Sequence, residues 1–290
     1  MLANMKCDKE KVVAYLGPQG TYSEDVAYQI NIGNRARFTP YASINAAIMA
    51  VVNGDCDECV VPIENSLEGS VTITLDTLAL VENLFIIQET TQFIKHNLLV
   101  KPQNGNIEVI LSHWQALAQC RSYIMQTYPD AVLKAVESTA EAACCVASGA
   151  YHYAAIGSLR AAELYGLDIA AAGIQDNSYN STRFIVLGRE QAVLPKERHK
   201  TSIVCQIDGQ KPGSLCEVLQ EFAMRNVNLT RIESRPARTR MGAYIFFLDM
   251  EGSLQEQCVH EAVKAVRKKS IWFKSFGSYP VVSLNTRDDE

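Results

Sequence analysis

Residues Asp176–Gly188 read DNSYNSTRFIVLG, a polar knot closing on Thr182-Arg183 just before the apolar run Phe184–Leu187. A hydroxyl and a guanidinium at the mouth of a buried strand are placed to donate a hydrogen bond and to hold a carboxylate. Other stretches repeat the design. Gly17-Pro-Gln-Gly20-Thr21 follows Lys11–Leu16, Glu64-Asn65-Ser66 follows Val60–Ile63, and Ser112-His113 follows Ile107–Leu111. Each also has an ordinary structural reading. Thr21 and Glu24 have capping-box spacing, Glu64–Ser66 suits a solvated turn, and Ser112-His113 suits a capped helix start. Together they supply an Arg, hydroxyls, an amide and an acid, which suits binding of a small hydroxylated acid or a cofactor-free elimination. The chain has no Walker A lysine, no GxGxxG and no Ser-His-Asp order.

The elements that must position these groups alternate along the first 190 residues. Apolar runs at 11–16, 58–63, 84–93, 107–111, 131–136 and 154–157 predict strands; helical periodicity covers 23–30, 43–52, 71–81, 114–127, 139–148 and 158–165. This alternation predicts a mostly parallel sheet covered on both faces, divided into two lobes with the long 84–94 strand as a crossing point. Strand ends in such a protein converge on the cleft between lobes. Residues 190–199 are polar, carry Pro195 and a charge cluster, and read as a linker. Beyond it the order βαββαβ over about eighty residues predicts a ferredoxin-like unit with helices on one face of an antiparallel sheet.

Composition sets the outer bounds. Of 290 residues, 48% are hydrophobic and 20% charged, as in ordinary globular proteins, and the net charge is −5 without a basic run. A nucleic-acid partner is therefore not expected. No apolar stretch is long enough for a membrane helix, and the first residues lack a signal peptide's apolar centre, so a cytoplasmic location is expected. The nine cysteines read as reduced, mostly buried thiols. Cys56-Asp-Glu-Cys59 has redox or zinc spacing, but no second ligand pair accompanies it, so no metal is expected.

Five stretches in register, GPQGTYSEDVA (17–27), VPIENSLEGSV (61–71), SHWQALAQC (112–120), STAEAA (138–143) and NSTRF (180–184), resemble prephenate dehydratase. KPGSLCEVL (211–219) with ESRP (233–236) resembles that family's ACT regulatory domain. The resemblance implies a fold of class α/β: a two-lobed, periplasmic-binding-protein-like catalytic region, 11–189, with lobe 1 about 11–92 and 178–189 and lobe 2 about 93–177. The linker and an ACT domain, 200–277, follow. It implies a carbon–oxygen lyase that converts prephenate to phenylpyruvate in phenylalanine biosynthesis, without a cofactor or chorismate mutase domain. Thr182 is the implied catalytic hydroxyl and Arg183 the expected anion clamp. Gly20, Thr21, Asn65, Ser66, Ser112, Asn180 and Phe184 are expected around the substrate. Glu64 is left between poising a water and holding Ser66 and its loop. Phenylalanine is the implied effector, bound between ACT domains near Gly213, Ser214, Leu215, Glu233, Ser234, Arg235 and Pro236, in a homodimer or homotetramer. Two positions depart from the family: Trp114 stands where Pro is usual, and Gly213-Ser-Leu-Cys216 replaces GALV. Arogenate dehydratase and a non-catalytic amino-acid sensor remain open alternatives.

Overall fold

The computed structural model describes residues 10–284, apart from 34, 104, 150, 195–197 and 239–241. Cys7, Pro195 and the centre of the expected linker lie outside the described residues.

Lobe 1 begins with β1 (Lys11–Leu16), α1 (Tyr22–Ile30), β2 (Ala36–Tyr41), α2 (Ile44–Asn53) and β3 (Glu58–Asn65). The two-residue β4 (Gly69–Ser70), α3 (Thr72–Leu80) and β5 (Phe85–Phe93) complete its first pass. The chain then crosses to lobe 2, formed by β6 (Asn97–Val100), β7 (Val109–His113), α4 (Trp114–Gln119), α5 (Arg121–Thr127) and β8 (Val132–Val136). The same lobe continues through α6 (Thr139–Ser148), β9 (Tyr153–Gly157), α7 (Leu159–Tyr165) and β10 (Asp168–Ala171). A second crossing returns it as β11 (Ser181–Gly188), inserted antiparallel between β3 and β5.

Local chemistry fixes several boundaries. Ser43 caps α2 by accepting from the Ala46 N–H, and Gly54 ends it at φ 85, a conformation that favours glycine. Thr21 caps α1 through the Glu24 N–H. The sheets differ from the mostly parallel expectation. In lobe 2, β7 runs parallel to β8 and β9, whereas β6 and β10 run antiparallel to their neighbours. Hydrophobic periodicity identifies strands but carries no direction; the double crossing reverses it. β2, β6 and β10 escape the periodicity reading. β2 is half-exposed and carries Pro40, and β10 is an exposed edge.

The C-terminal unit comprises β12 (His199–Gln206), α8 (Ser214–Ala223), β13 (Leu229–Pro236), β14 (Tyr244–Glu251), α9 (Gln257–Lys269) and β15 (Trp272–Ser283). Its strands run in the order β13-β14-β12-β15, the ferredoxin-like arrangement. Ile203, Cys205, Leu248 and Met250 face α8 and α9 from one side of this sheet. From the other side Val204, Ile245, Phe247, Phe276 and Tyr279 join the core of lobe 1. Each fully buried aliphatic side chain of that shared core is worth roughly 1.5–3 kcal/mol. β15 also runs on past Phe276, and Val281–Ser283 pair parallel with Glu89–Thr91 of β5. One continuous ten-stranded sheet therefore spans lobe 1 and the C-terminal unit.

Candidate active site

Between the lobes lies a cleft of about 490 Å³, lined by Thr21, Asn65, Asn180, Thr182 and Phe184 among the expected residues. Thr182 is nine-tenths buried at the head of β11. Its Oγ1 accepts a hydrogen bond from Asn65 Nδ2 at 2.9 Å. The Asn65 amide cannot be turned round, because its Oδ1 accepts from the backbone N–H groups of Leu67 (3.0 Å) and Glu68 (3.1 Å). The hydroxyl oxygen of Thr182 is thus engaged from the protein side. Its proton has no acceptor among the described residues and is available to the cavity.

The same amide anchors a longer chain. Asn65 Nδ2 also donates to Asn180 Oδ1 at 2.9 Å, and Asn180 Nδ2 donates to Gln119 Oε1 at 2.9 Å. His96 Nε2 lies 3.0 Å from that same oxygen, so Nε2 carries the proton. Burial pulls His96 below the usual imidazole range, which keeps it neutral near pH 7. Its Nδ1 faces Tyr22 Oη at 3.2 Å. The chain runs from lobe 1 through both crossings by way of α4 in lobe 2. Sequence reasoning missed Gln119, His96 and Tyr22 as cleft residues. The available signals were a polar Gln on the inward face of an amphipathic helix and a His set into the apolar run FIKHNLLV.

Several expected residues stand elsewhere. Arg183 follows Thr182 on a strand, so its side chain leaves from the opposite face. Its Nη2 meets Asp249 Oδ2 at 2.6 Å, with Glu64 at 3.6 Å and Glu89 at 3.8 Å from Nε. Burial works against the Arg183 charge, but Asp249 and Glu89 more than offset it. Arg183 is therefore an interdomain tie rather than a side chain of the cleft wall. Glu64 shares that far face, within 3.7 Å of Arg231. Ser112 Oγ is buried and donates to the Ile156 carbonyl at 2.7 Å. Ser66 Oγ accepts from Ser181 N–H and donates to the Tyr179 carbonyl, binding two loops together. Gly20 docks the first loop onto lobe 2: its carbonyl accepts from Ser158 Oγ at 3.0 Å, and its N–H donates to Glu24 at 2.7 Å.

The electrostatics of the cleft differ from the expected guanidinium clamp. Its described lining includes Glu68 and Glu137 but neither Lys nor Arg. The starts of α1 (Thr21–Ser23), α3 (Ser70–Val71), α4 (His113–Gln115) and α6 (Ser138–Thr139) all open onto it. Converging helix N-termini bring partial positive charge and unpaired N–H groups without a cationic side chain. Trp114, the departure from the family pattern, is exposed at the rim.

The effector residues split by strand face. A second concavity of about 340 Å³ is lined by Gly213, Ser214 and Leu215 with Tyr244 and Phe246. Ser234 and Pro236 pair with Phe246 and Tyr244, so they share that face. Glu233 and Arg235 point the other way, into lobe 1: Glu233 accepts from Ser70 Oγ at 2.9 Å, and Arg235 makes a two-pronged pair with Asp76 of α3. The described cysteines are free thiols; burial raises Cys59 and pushes Cys205 up to about 11, which leaves them unreactive near neutrality. No helix among the described residues is long and apolar enough to cross a membrane.

Comparison with known proteins places this architecture. The prephenate dehydratase family profile matches residues 13–192, and the ACT domain profile matches 202–266. Prephenate dehydratase of Methanocaldococcus jannaschii is 40% identical over 283 residues, covering 93% of this chain and 98% of that protein. The crystal structure of an Arthrobacter aurescens prephenate dehydratase in complex with L-Phe aligns with TM-score 0.84 at 37% identity, over 92% of this chain and 89% of that one. GqqA, described as a novel type of quorum-quenching acylase, aligns with TM-score 0.82 at 28% identity, over 94% of this chain and 98% of its own.

Proposed function

From the premise that this chain belongs to the prephenate dehydratase family and is a dehydratase with a C-terminal ACT domain, we propose that Thr182 assists departure of the ring hydroxyl of prephenate in phenylalanine biosynthesis. The observation that carries this reading is the Thr182 hydroxyl in the cleft wall, which accepts from the fixed Asn65 amide and has no acceptor for its own proton among the described residues.

Prephenate bears a carboxylate and a hydroxyl on a non-aromatic ring and a second carboxylate on its side chain. When the ring carboxylate leaves as CO₂, the electrons of the broken C–C bond enter the ring and expel the hydroxyl. That group takes up a proton and departs as water, leaving phenylpyruvate. The balance needs no external oxidant or reductant. A Thr hydroxyl is a weak acid, so Thr182 keeps its proton and acts by hydrogen bonding to the departing oxygen, while the proton that completes the water comes from solvent. Assistance of this kind is typically worth ~10²–10⁴ in rate. The helix N-termini take the carboxylates in place of Arg183, and Phe184 and Ile94 supply apolar wall beside the carboxylate that is lost. Gly20, Ser66 and Ser112 serve the site by holding its loops.

The test is formation of phenylpyruvate from prephenate, with and without L-phenylalanine. Turnover suppressed by L-phenylalanine is expected, and absence of turnover would refute the reading. Arogenate belongs in the same assay, because its side-chain ammonium could pair with Glu68 or Glu137 at the rim; prephenate is expected to have the higher kcat/KM. An acylase activity like that named for GqqA would need a nucleophile with a base. Thr182 instead has the Asn65 amide as its hydrogen-bond donor, and neither His96 nor His113 bonds to it. Feedback inhibition through the concavity at Gly213–Leu215, Ser234 and Pro236, in a homo-oligomer, completes the proposal.

A further inference from the structure

Three cleft elements are each held from behind by the ACT domain. Arg231 of β13, 8% exposed, donates from Nη2 to Ser70 Oγ at 2.7 Å, and Ser70 lines the cleft at the start of α3. Ser70 Oγ in turn donates to Glu233 on the same strand face. Arg231 Nε lies 3.7 Å from Glu64, the neighbour of Asn65. Asp249 of β14 pairs with Arg183, the neighbour of Thr182. Asp249 is itself fixed by Ser202 Oγ at 2.6 Å, while Lys200 holds Glu89 at 2.5 Å. Thus Thr182, Asn65 and Ser70 face substrate space, while their own or adjacent side chains are gripped by two ACT strands.

We propose that Arg231 and Asp249 are positioning residues for the dehydratase cleft, and that their ion cluster with Arg183, Glu64 and Ser70 is the link through which the ACT domain sets its activity. This rests on the functional reading above and names the route by which its regulation acts. A buried ion cluster seldom stabilises more than well-packed apolar side chains would, so stability alone does not account for it. The cluster is also incompletely closed. Arg183 Nε and Arg231 Nη1 are buried without a hydrogen-bond partner. Their nearest carboxylates stand at 3.6 Å (Glu64 from Arg183) and 3.9 Å (Asp249 from Arg231). Both carboxylates are shared across the interface, Asp249 with Arg183 at 2.6 Å and Glu64 with Arg231 Nε at 3.7 Å, so a shift of under about 1 Å between β13–β14 and lobe 1 would redistribute them between the two guanidiniums. The cluster therefore ties the position of β13–β14 to Arg183 and Glu64, the neighbours of Thr182 and Asn65. Ligand at the concavity bears on the opposite face of these same strands, at Phe246, two residues before Leu248 in the Ile232–Leu248 and Arg231–Asp249 register.

The experiment uses the full chain carrying Trp272→Phe, so that Trp114 at the cleft rim is the sole tryptophan. Arg231→Met and Asp249→Asn are each expected to lower kcat about tenfold with KM changed less than about threefold, the scale of one charge-assisted hydrogen bond. Both should bind L-phenylalanine by calorimetry as the parent does, yet lose its effect on Trp114 emission and on turnover. Arg231→Lys should restore part of both. Unchanged kcat together with an unchanged Trp114 response in both variants would overturn the proposal. If either variant fails to fold, Ser70→Ala cuts the same tie from the cleft side, and a retained Trp114 response there overturns it equally. Failure of the functional reading looks different: the parent would then lack turnover or L-phenylalanine binding altogether. In that event Trp114 emission identical in the parent and Arg231→Met would refute the mechanical tie as well.

Discussion

Consecutive residues on one strand have opposite fates here. Thr182 and Arg183 differ by one position, so the pleat sends one into the cleft and the other into the ACT interface. The contrast predicts separable kinetics. Thr182→Val keeps shape and removes the proton, and should cost ~10²–10⁴ in kcat with melting temperature preserved, whereas Thr182→Ser should retain substantial turnover. Arg183→Met should destabilise the fold by about 3 kcal/mol, because Asp249 and Glu89 lose a buried partner. Its KM for prephenate should stay within about threefold, the margin of one weak contact. A KM raised a hundredfold in Arg183→Met, measured beside chemical denaturation, would restore the guanidinium to the substrate. Strand alternation was legible from residue order, yet which face met the cleft was not, because both faces of β11 are covered.

At the level of elements, β15 does more than close the ACT sheet. Its last residues add a parallel strand to lobe 1, where Thr90 Oγ1 donates to the Val282 carbonyl at 2.8 Å. Removing residues beyond Pro280 deletes that pairing but leaves the β12–β15 ladder, which ends at Pro280. The expected result is a thermal unfolding curve that separates into two transitions, one for each unit, where the intact chain shows one. A single unshifted transition would mean that the side-chain interface alone couples them. The stretch SYPVVS lies beyond the expected 200–277 unit, and its partner is about 190 positions earlier, a distance over which pairing leaves no local mark. By contrast, α2, α6 and α7 were readable because a capping Ser precedes each helix.

Across the whole molecule, the ACT sheet is clasped by its own helices on one face and by the catalytic region on the other. Lys274 of β15 marks the join, donating to the carbonyls of Leu78 and Val81 at the end of α3. Burial lowers it from the usual 10.5 to about 8, an effect that the nearby Glu82 charge opposes. A lysine lowered on folding sheds its proton first in the folded chain, so the unfolded chain binds more protons between about pH 8 and 10 and stability rises with pH there. Above that window the buried phenols Tyr15 and Tyr279, raised by burial, reverse the slope. Lys274→Met should flatten the rise, checked by urea denaturation at several pH values; an unchanged slope would place its origin elsewhere.

Most of the helices and strands, though not β2, β6 or β10, and the identity of the catalytic family were written in the sequence, because periodicity, caps and motif spacing are local properties of the chain. Tertiary structure alone decided that Arg183 serves the interdomain cluster, that His96 and Gln119 join the network behind Thr182, and that the starts of four helices line the cleft, with neither Lys nor Arg among its described residues. Each of these depends on which distant surfaces come together and on which way a side chain points once they do. Residue order constrains that direction to two choices, and only packing selects between them.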